Sequence, residues 1–167
     1  MKPRSVNMNA DSGEKTWLTP HYIIDALGPF DTDPCCPDGG MPWPTASRMI
    51  TKTEDGLKQE WTGRVWLNPP YGREALPFFK RMASYSGGVA LMFVRTDTAL
   101  WQDYIFPFAT AIAYLRGRLR FHHQDGSLGA TATAPSALVA YGEWARSQLL
   151  AAICDKKLDG FITYSQN

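Results

Sequence analysis

A chain of 167 residues with 44% apolar and 20% charged side chains has the make-up of one globular unit long enough for a sizeable core. Its formal net charge of +1 excludes a global field for a polyanion, so any nucleic-acid face has to come from a local cluster. No apolar run reaches the ~18–20 residues of a membrane span, and the N-terminus carries no apolar signal core, so a cytoplasmic protein without membrane association is expected.

Residues 1–15 are polar and aperiodic and read as a flexible arm, which leaves 16–167 as a single domain. In Trp17-Leu18-Thr19-Pro20, Thr19 suits an N-cap and Pro20 the first helical position, predicting a helix to Leu27 that Gly28 closes. Phe30-Asp31-Thr32-Asp33 reads as a short strand stopped by Pro34, and 35–44 as a loop rich in Pro and Gly. Three cysteines, with no CxxC, fit a reducing compartment. Cys35 and Cys36 with His122 and His123 lack the spacing of a tetrahedral zinc site, so no metal is expected. Residues 46–60 are weakly patterned, with a turn at Asp55-Gly56-Leu57 and a helical turn over 57–61.

Residues 65–67 are the strand on which the chain is centred, because it runs into Asn68-Pro69-Pro70-Tyr71-Gly72. Neither proline has an N–H and both fix φ, so the ladder must stop there and leave a stiff turn at the strand's C-terminal end. In open α/β sheets that end is where ligands bind. The turn presents an amide, proline-flanked carbonyls and an aromatic ring. Such a set accepts two hydrogen bonds from a planar amino group and stacks on the ring that bears it.

Beyond the turn, Leu76, Phe79 and Met82 mark a helix over 73–84. The apolar run 89–94 suits a central parallel strand, and 98–105 a short helix rich in Trp and Tyr. Strands follow at 111–115 and 136–141, separated by the basic segment 116–121 and a Gly/Ser/Thr/Ala loop over 122–135. A helix over 143–157 and a last strand at 161–164 complete an α/β chain with a mostly parallel sheet and an antiparallel end.

Several stretches agree with the proline turn: Trp17-x-Thr19-Pro20, the segment 30–36 with its Asp-Pro step, Asp55-Gly56-Leu57, Trp61, the segment 91–101, and Gly117-Arg118-Leu119-x-Phe121. In this order, over residues 17–142, they resemble the small phage-type DNA N6-adenine methyltransferase (Dam-like) family. The resemblance implies a compact Rossmann-like fold, S-adenosylmethionine as methyl donor, double-stranded DNA as partner, and a flipped-out adenine as acceptor in a bacterial host. It implies catalytic roles for Asn68, Pro69, Pro70 and Tyr71. It puts Trp17, Thr19, Pro20, Asp31, Asp33, Asp55 and Asn68 on the cofactor side. For phosphate contacts the candidates are Arg116, Arg118 and Arg120, with His122 and His123 beside them, and Arg73 and Arg95 flanking the turn. The sequence departs from larger relatives where a Gly-rich cofactor turn belongs: residues 33–40 hold Pro37 at a place for glycine.

The chemistry asks little of titrating groups. The amine of adenine is a weak nucleophile because its lone pair is delocalised, and acceptors on both N–H bonds let the nitrogen pyramidalise and stabilise the developing positive charge. Two other readings share these residues. Glutamine-amide methyltransferases of the same fold use the same tetrapeptide, and a non-catalytic DNA-binding relative would keep the shape without the cofactor.

Overall fold

A computed structural model describes residues 16–164, and the arm expected over 1–15 lies outside them. In chain order the strands are β1 (Thr32–Cys36), β2 (Arg48–Thr51), β3 (Val65–Leu67), β4 (Gly88–Phe93), β5 (Ala111–Leu115), β6 (Arg120–His122), β7 (Leu128–Thr131), β8 (Ser136–Tyr141) and β9 (Gly160–Tyr164). Seven form one sheet in the spatial order β2-β1-β3-β4-β8-β5-β9, and β6 and β7 pair separately as a hairpin. β2, β1, β3 and β4 are mutually parallel, whereas β8 opposes both β4 and β5. β5 therefore points with β1–β4, and only β8 and β9 run against them. The mixed sheet, parallel on one side and antiparallel towards the other edge, is compatible with the Rossmann-like methyltransferase fold expected from the sequence.

All six residues of β4 are buried, because both faces of the sheet are covered. On one face Val89, Leu91 and Phe93 join Ile23, Ile24 and Leu27 of α1 (His21–Leu27) and Ala145, Leu149 and Ala152 of α3 (Glu143–Cys154). On the other, Ala90 and Met92 join Ala75, Phe79 and Met82 of α2 (Ala75–Tyr85) and the π-helical turn Trp101–Ile105. The period of two along β4 thus feeds two cores. Fully burying each large apolar side chain contributes about 1.5–3 kcal/mol.

Four elements differ from expectation. The first strand begins at Thr32 and runs through Pro34 instead of stopping there. Proline is tolerated because the register against β2 shifts between Asp33 and Cys36, and β1 is matched to β3 only at Thr32↔Val65. β2 falls in the weakly patterned stretch 46–60 and β7 in the stretch read as a loop over 122–135. The first helix has Pro20, not Thr19, at its N-cap, with no side-chain capping bond. The hydroxyl of Thr19 is engaged elsewhere.

Candidate functional site

Leaving β1, the chain turns outward to β2 and then crosses back to β3 on the other side of β1. This reversal of strand order is where ligands enter open α/β sheets, outside the carboxyl ends of the strands. Here β1 and β3 part after one matched pair. A cavity of about 510 Å³ opens between their C-terminal ends, lined by residues 33–37 of the first and by Trp66 and residues 68–71 of the second. Residues 16–19 and the Asp55-Gly56-Leu57 turn close it from the sides.

Asn68 is the first residue beyond β3. Its Nδ2 donates to the Trp17 carbonyl and to Thr19 Oγ1, each at 3.2 Å. A carbonyl can only accept, so the amide nitrogen must face residues 17–19 and Oδ1 must face the other way. On that side its protein contact is the Tyr71 hydroxyl, a long 3.4 Å donor. The Pro69 carbonyl receives no hydrogen bond from the described residues. Two acceptor oxygens one residue apart thus remain at the cavity's rim, separated from any strong donor. The half-buried Tyr71 ring lies on Phe93 with centroids 4.3 Å apart and planes 14° from parallel, and Phe121 meets it edge-on at 6.2 Å. Burial pushes its hydroxyl well above the usual phenol range, so it remains a protonated donor. Gly72 takes a φ of 89°, which lets the chain leave the double proline towards α2.

The residues expected on the cofactor side divide. Trp17, Thr19, Asp33, Asp55 and Asn68 line the cavity; Pro20 and Asp31 do not. Asp33 is 3% exposed and accepts from Cys35 N at 2.9 Å and from the Thr45 hydroxyl in a short contact. Burial raises its pKa, and these hydrogen bonds oppose the rise. Asp31 lies just before β1, at the opposite end of the strand. Arg64 holds its carboxylate through Nε at 2.9 Å, Nη2 at 3.3 Å and backbone N at 2.7 Å, which lowers its pKa. Asp31, expected on the cofactor side, is engaged by Arg64 and lies outside the cavity lining. Pro20 is buried at the start of α1 and serves the helix.

Asp55, at φ 60°, accepts from Leu57 N and pairs with Lys58 at 3.1 Å, which lowers its pKa. The turn it opens is pinned from behind. Trp61 Nε1 and Arg81 Nη1 both donate to the Gly56 carbonyl, and Arg81 reaches the Leu57 and Gln59 carbonyls at 2.7 Å each while its guanidinium covers the Trp61 ring.

The basic candidates separate by what holds them. Arg116 pairs with Asp159 at 3.0 Å. Arg118 donates to the Thr133 carbonyl and Arg120 to the Gly129 carbonyl, so both brace the β6–β7 hairpin yet keep their charge. Arg73 and Arg95 are exposed and make no ion pair among the described residues. Both follow C-terminal strand ends, on the same edge of the sheet as Asn68. His122 and His123 pack on Trp43 and Trp17, with ring centroids 5.0 and 5.3 Å apart.

Sequence reading missed Thr45, Arg81 and Trp66. Only Trp66 had a signal, its position two residues before Asn68; its fully buried Nε1 has no hydrogen-bond partner in the cavity wall. Cys35 and Cys36 also line the cavity, and burial raises both thiols. No three His, Cys, Asp or Glu side chains among the described residues group as a metal site, and no helix among them is long and apolar enough to cross a membrane. The family model for DNA N-6-adenine-methyltransferase (Dam) matches residues 7–158 of the chain. No curated protein and no solved structure matches it.

Proposed function

The chain belongs to the DNA N-6-adenine-methyltransferase family, and on that premise we propose that the 510 Å³ cavity holds S-adenosylmethionine and that the turn 68–71 holds a flipped-out adenine of double-stranded DNA at its rim. The observation that carries the reading is the Asn68 amide, turned so that Oδ1 and the Pro69 carbonyl are both left as acceptors. The exocyclic amine of adenine has two N–H bonds to give and a lone pair that must be freed from the ring. Two acceptors in adjacent residues take those bonds and stabilise the charge that appears as the nitrogen becomes tetrahedral. Tyr71 offers its ring to stack on the base, already backed by Phe93. Its raised pKa removes it as a base, and none is needed before the nitrogen attacks.

The cavity suits the donor by its chemistry. A buried carboxylate at Asp33 and a second at Asp55 accept from hydroxyl and ammonium groups. Pro34, Cys35 and Phe78 offer apolar wall. When bound, the cofactor would supply an electrophilic methyl group on a sulfonium. The protein's part is to hold the amine in line with it, an effect of position more than of acid or base. Extruding the base costs a few kcal/mol, about what unstacking and unpairing one nucleotide requires.

The test is Asn68→Ala with labelled cofactor and unmethylated duplex DNA. Transfer to adenine should fall by at least ~10²–10³-fold, the usual loss for a group that stabilises transition-state charge, with cofactor affinity within a few-fold of wild type. Label appearing in protein instead of DNA, or wild-type turnover in the variant, sinks the reading.

A further inference from the structure

We infer that residues 17–19 are a positioning strap for the acceptor amide, and that Thr19 acts through Asn68 rather than as a ligand of the cofactor. The inference rests on the proposed role of Asn68 for its catalytic consequence, but its geometric content concerns this chain alone. The strap is held from three sides. Leu18 exchanges both backbone hydrogen bonds with His122 of β6, at 2.9 and 3.0 Å. The Thr19 carbonyl accepts from Trp43 Nε1 at 3.2 Å. The Trp17 ring packs on His123. Against this fixed piece of chain Asn68 places its amide nitrogen, shared between the Trp17 carbonyl and the Thr19 hydroxyl.

The choice of orientation matters because the two ends of an amide look alike in shape and opposite in hydrogen bonding. Turned by 180°, Asn68 would aim an NH₂ group at the site of another NH₂ group, donor against donor, and press Oδ1 against the lone pairs of the Trp17 carbonyl. The backbone carbonyl gives this discrimination. The hydroxyl of Thr19, a donor as well as an acceptor, does not choose the orientation; 1% exposed, it adds a second, shielded hydrogen bond that holds the nitrogen where the carbonyl has turned it. Thr19 lies one residue before the Pro20 N-cap of α1, so its hydroxyl has no capping position to fill, and it bonds to a residue 49 positions away.

The experiment compares wild type with Thr19→Val, which keeps the shape and loses the hydroxyl, and Thr19→Ser, which keeps the hydroxyl. Three quantities are read: hydrogen exchange of the Asn68 side-chain amide by nuclear magnetic resonance, kcat for methyl transfer to duplex adenine, and cofactor Kd by calorimetry. Loss of one shielded hydrogen bond should speed the amide exchange and lower kcat, each by about tenfold, in Thr19→Val. The Ser variant should restore both, and Kd should stay within twofold throughout. Unchanged amide exchange in Thr19→Val overturns the inference, as does a loss of cofactor affinity that accounts for the loss of turnover. If wild type transfers no methyl to adenine, the proposed function fails, and the exchange rates alone decide the strap. If circular dichroism finds Thr19→Val unfolded, Thr19→Ala replaces it in the same comparison with Ser.

Discussion

Asp31 and Asp33 stand two positions apart beside one strand and titrate in opposite senses. Hydrogen bonds and charge from Arg64 lower the pKa of Asp31, so its stabilising contribution is whole above the unfolded value of ~3.9 and is lost as pH falls through the lower folded value. Burial raises the pKa of Asp33, so its contribution is whole below ~3.9 and is lost as pH rises through the higher folded value. Asp31→Asn should therefore destabilise at pH 7, by no more than about 1 kcal/mol because the pair is partly exposed, with the difference shrinking towards pH 3. Asp33→Asn keeps an acceptor for Cys35 N and reverses the bond to Thr45, whose hydroxyl can accept from Nδ2, so it should hold or raise stability at pH 7 while cofactor affinity drops at least tenfold. Urea unfolding at pH 3 and pH 7, with calorimetry of cofactor binding, reads both variants; parallel pH profiles would refute the opposed signs. The sequence could not separate these aspartates, because Pro34 reads as the end of a strand that in fact passes through it. Asn68 was legible, because a double proline after an apolar strand leaves a single geometry for the residue between them.

At the level of elements, the legible pieces were those whose pattern alone decides them. The strands expected at 65–67, 111–115 and 136–141 occur with those bounds, since each is an apolar run between turn residues. β2 escaped because it is an edge strand with one fully buried residue, Ile50, and β7 because Leu-Gly-Ala-Thr has neither a run nor an alternation. Residues 52–64 then join β2 to β3 without a helix, so the Asp55-Gly56-Leu57 turn lies directly on β1. A Cβ on Gly56 would come within 2.0 Å of the Pro34 carbonyl oxygen, and that neighbour is backbone in the cavity wall. Gly56→Ala must push the turn away from β1, an overpacking cost of about 1–3 kcal/mol. The same displacement should weaken cofactor binding, because Pro34 and Leu57 both face the cavity. A variant with wild-type melting temperature and cofactor Kd would show that the turn is not seated where the cavity needs it.

For the whole molecule, the question is how a chain of net charge +1 engages a polyanion. Sequence reading placed the answer in the run of arginines 116–120, where clustering is visible, with Arg73 and Arg95 as flanks of the turn. Their surroundings alter it. Asp159 cancels the charge of Arg116, whereas Arg118 and Arg120 spend hydrogen bonds on neutral carbonyls and remain cationic. Arg73 and Arg95, isolated in the sequence, emerge without an ion pair among the described residues at the edge of the sheet that carries Asn68. Each phosphate contact releases condensed counterions and adds roughly 0.9 to the slope of log K against log salt. Alanine at Arg73, Arg95, Arg118 or Arg120 should therefore flatten that slope by about 1 and weaken binding alike on any sequence, since phosphate contacts carry no base information. Arg116→Ala should change the slope little, because its guanidinium is engaged by Asp159 and not free for a phosphate. Fluorescence anisotropy on a labelled duplex between 50 and 200 mM salt, about the range over which such contacts act, measures the slopes. A flattened slope in Arg116→Ala alone would return the footprint to the clustered run and away from the rim of the cavity.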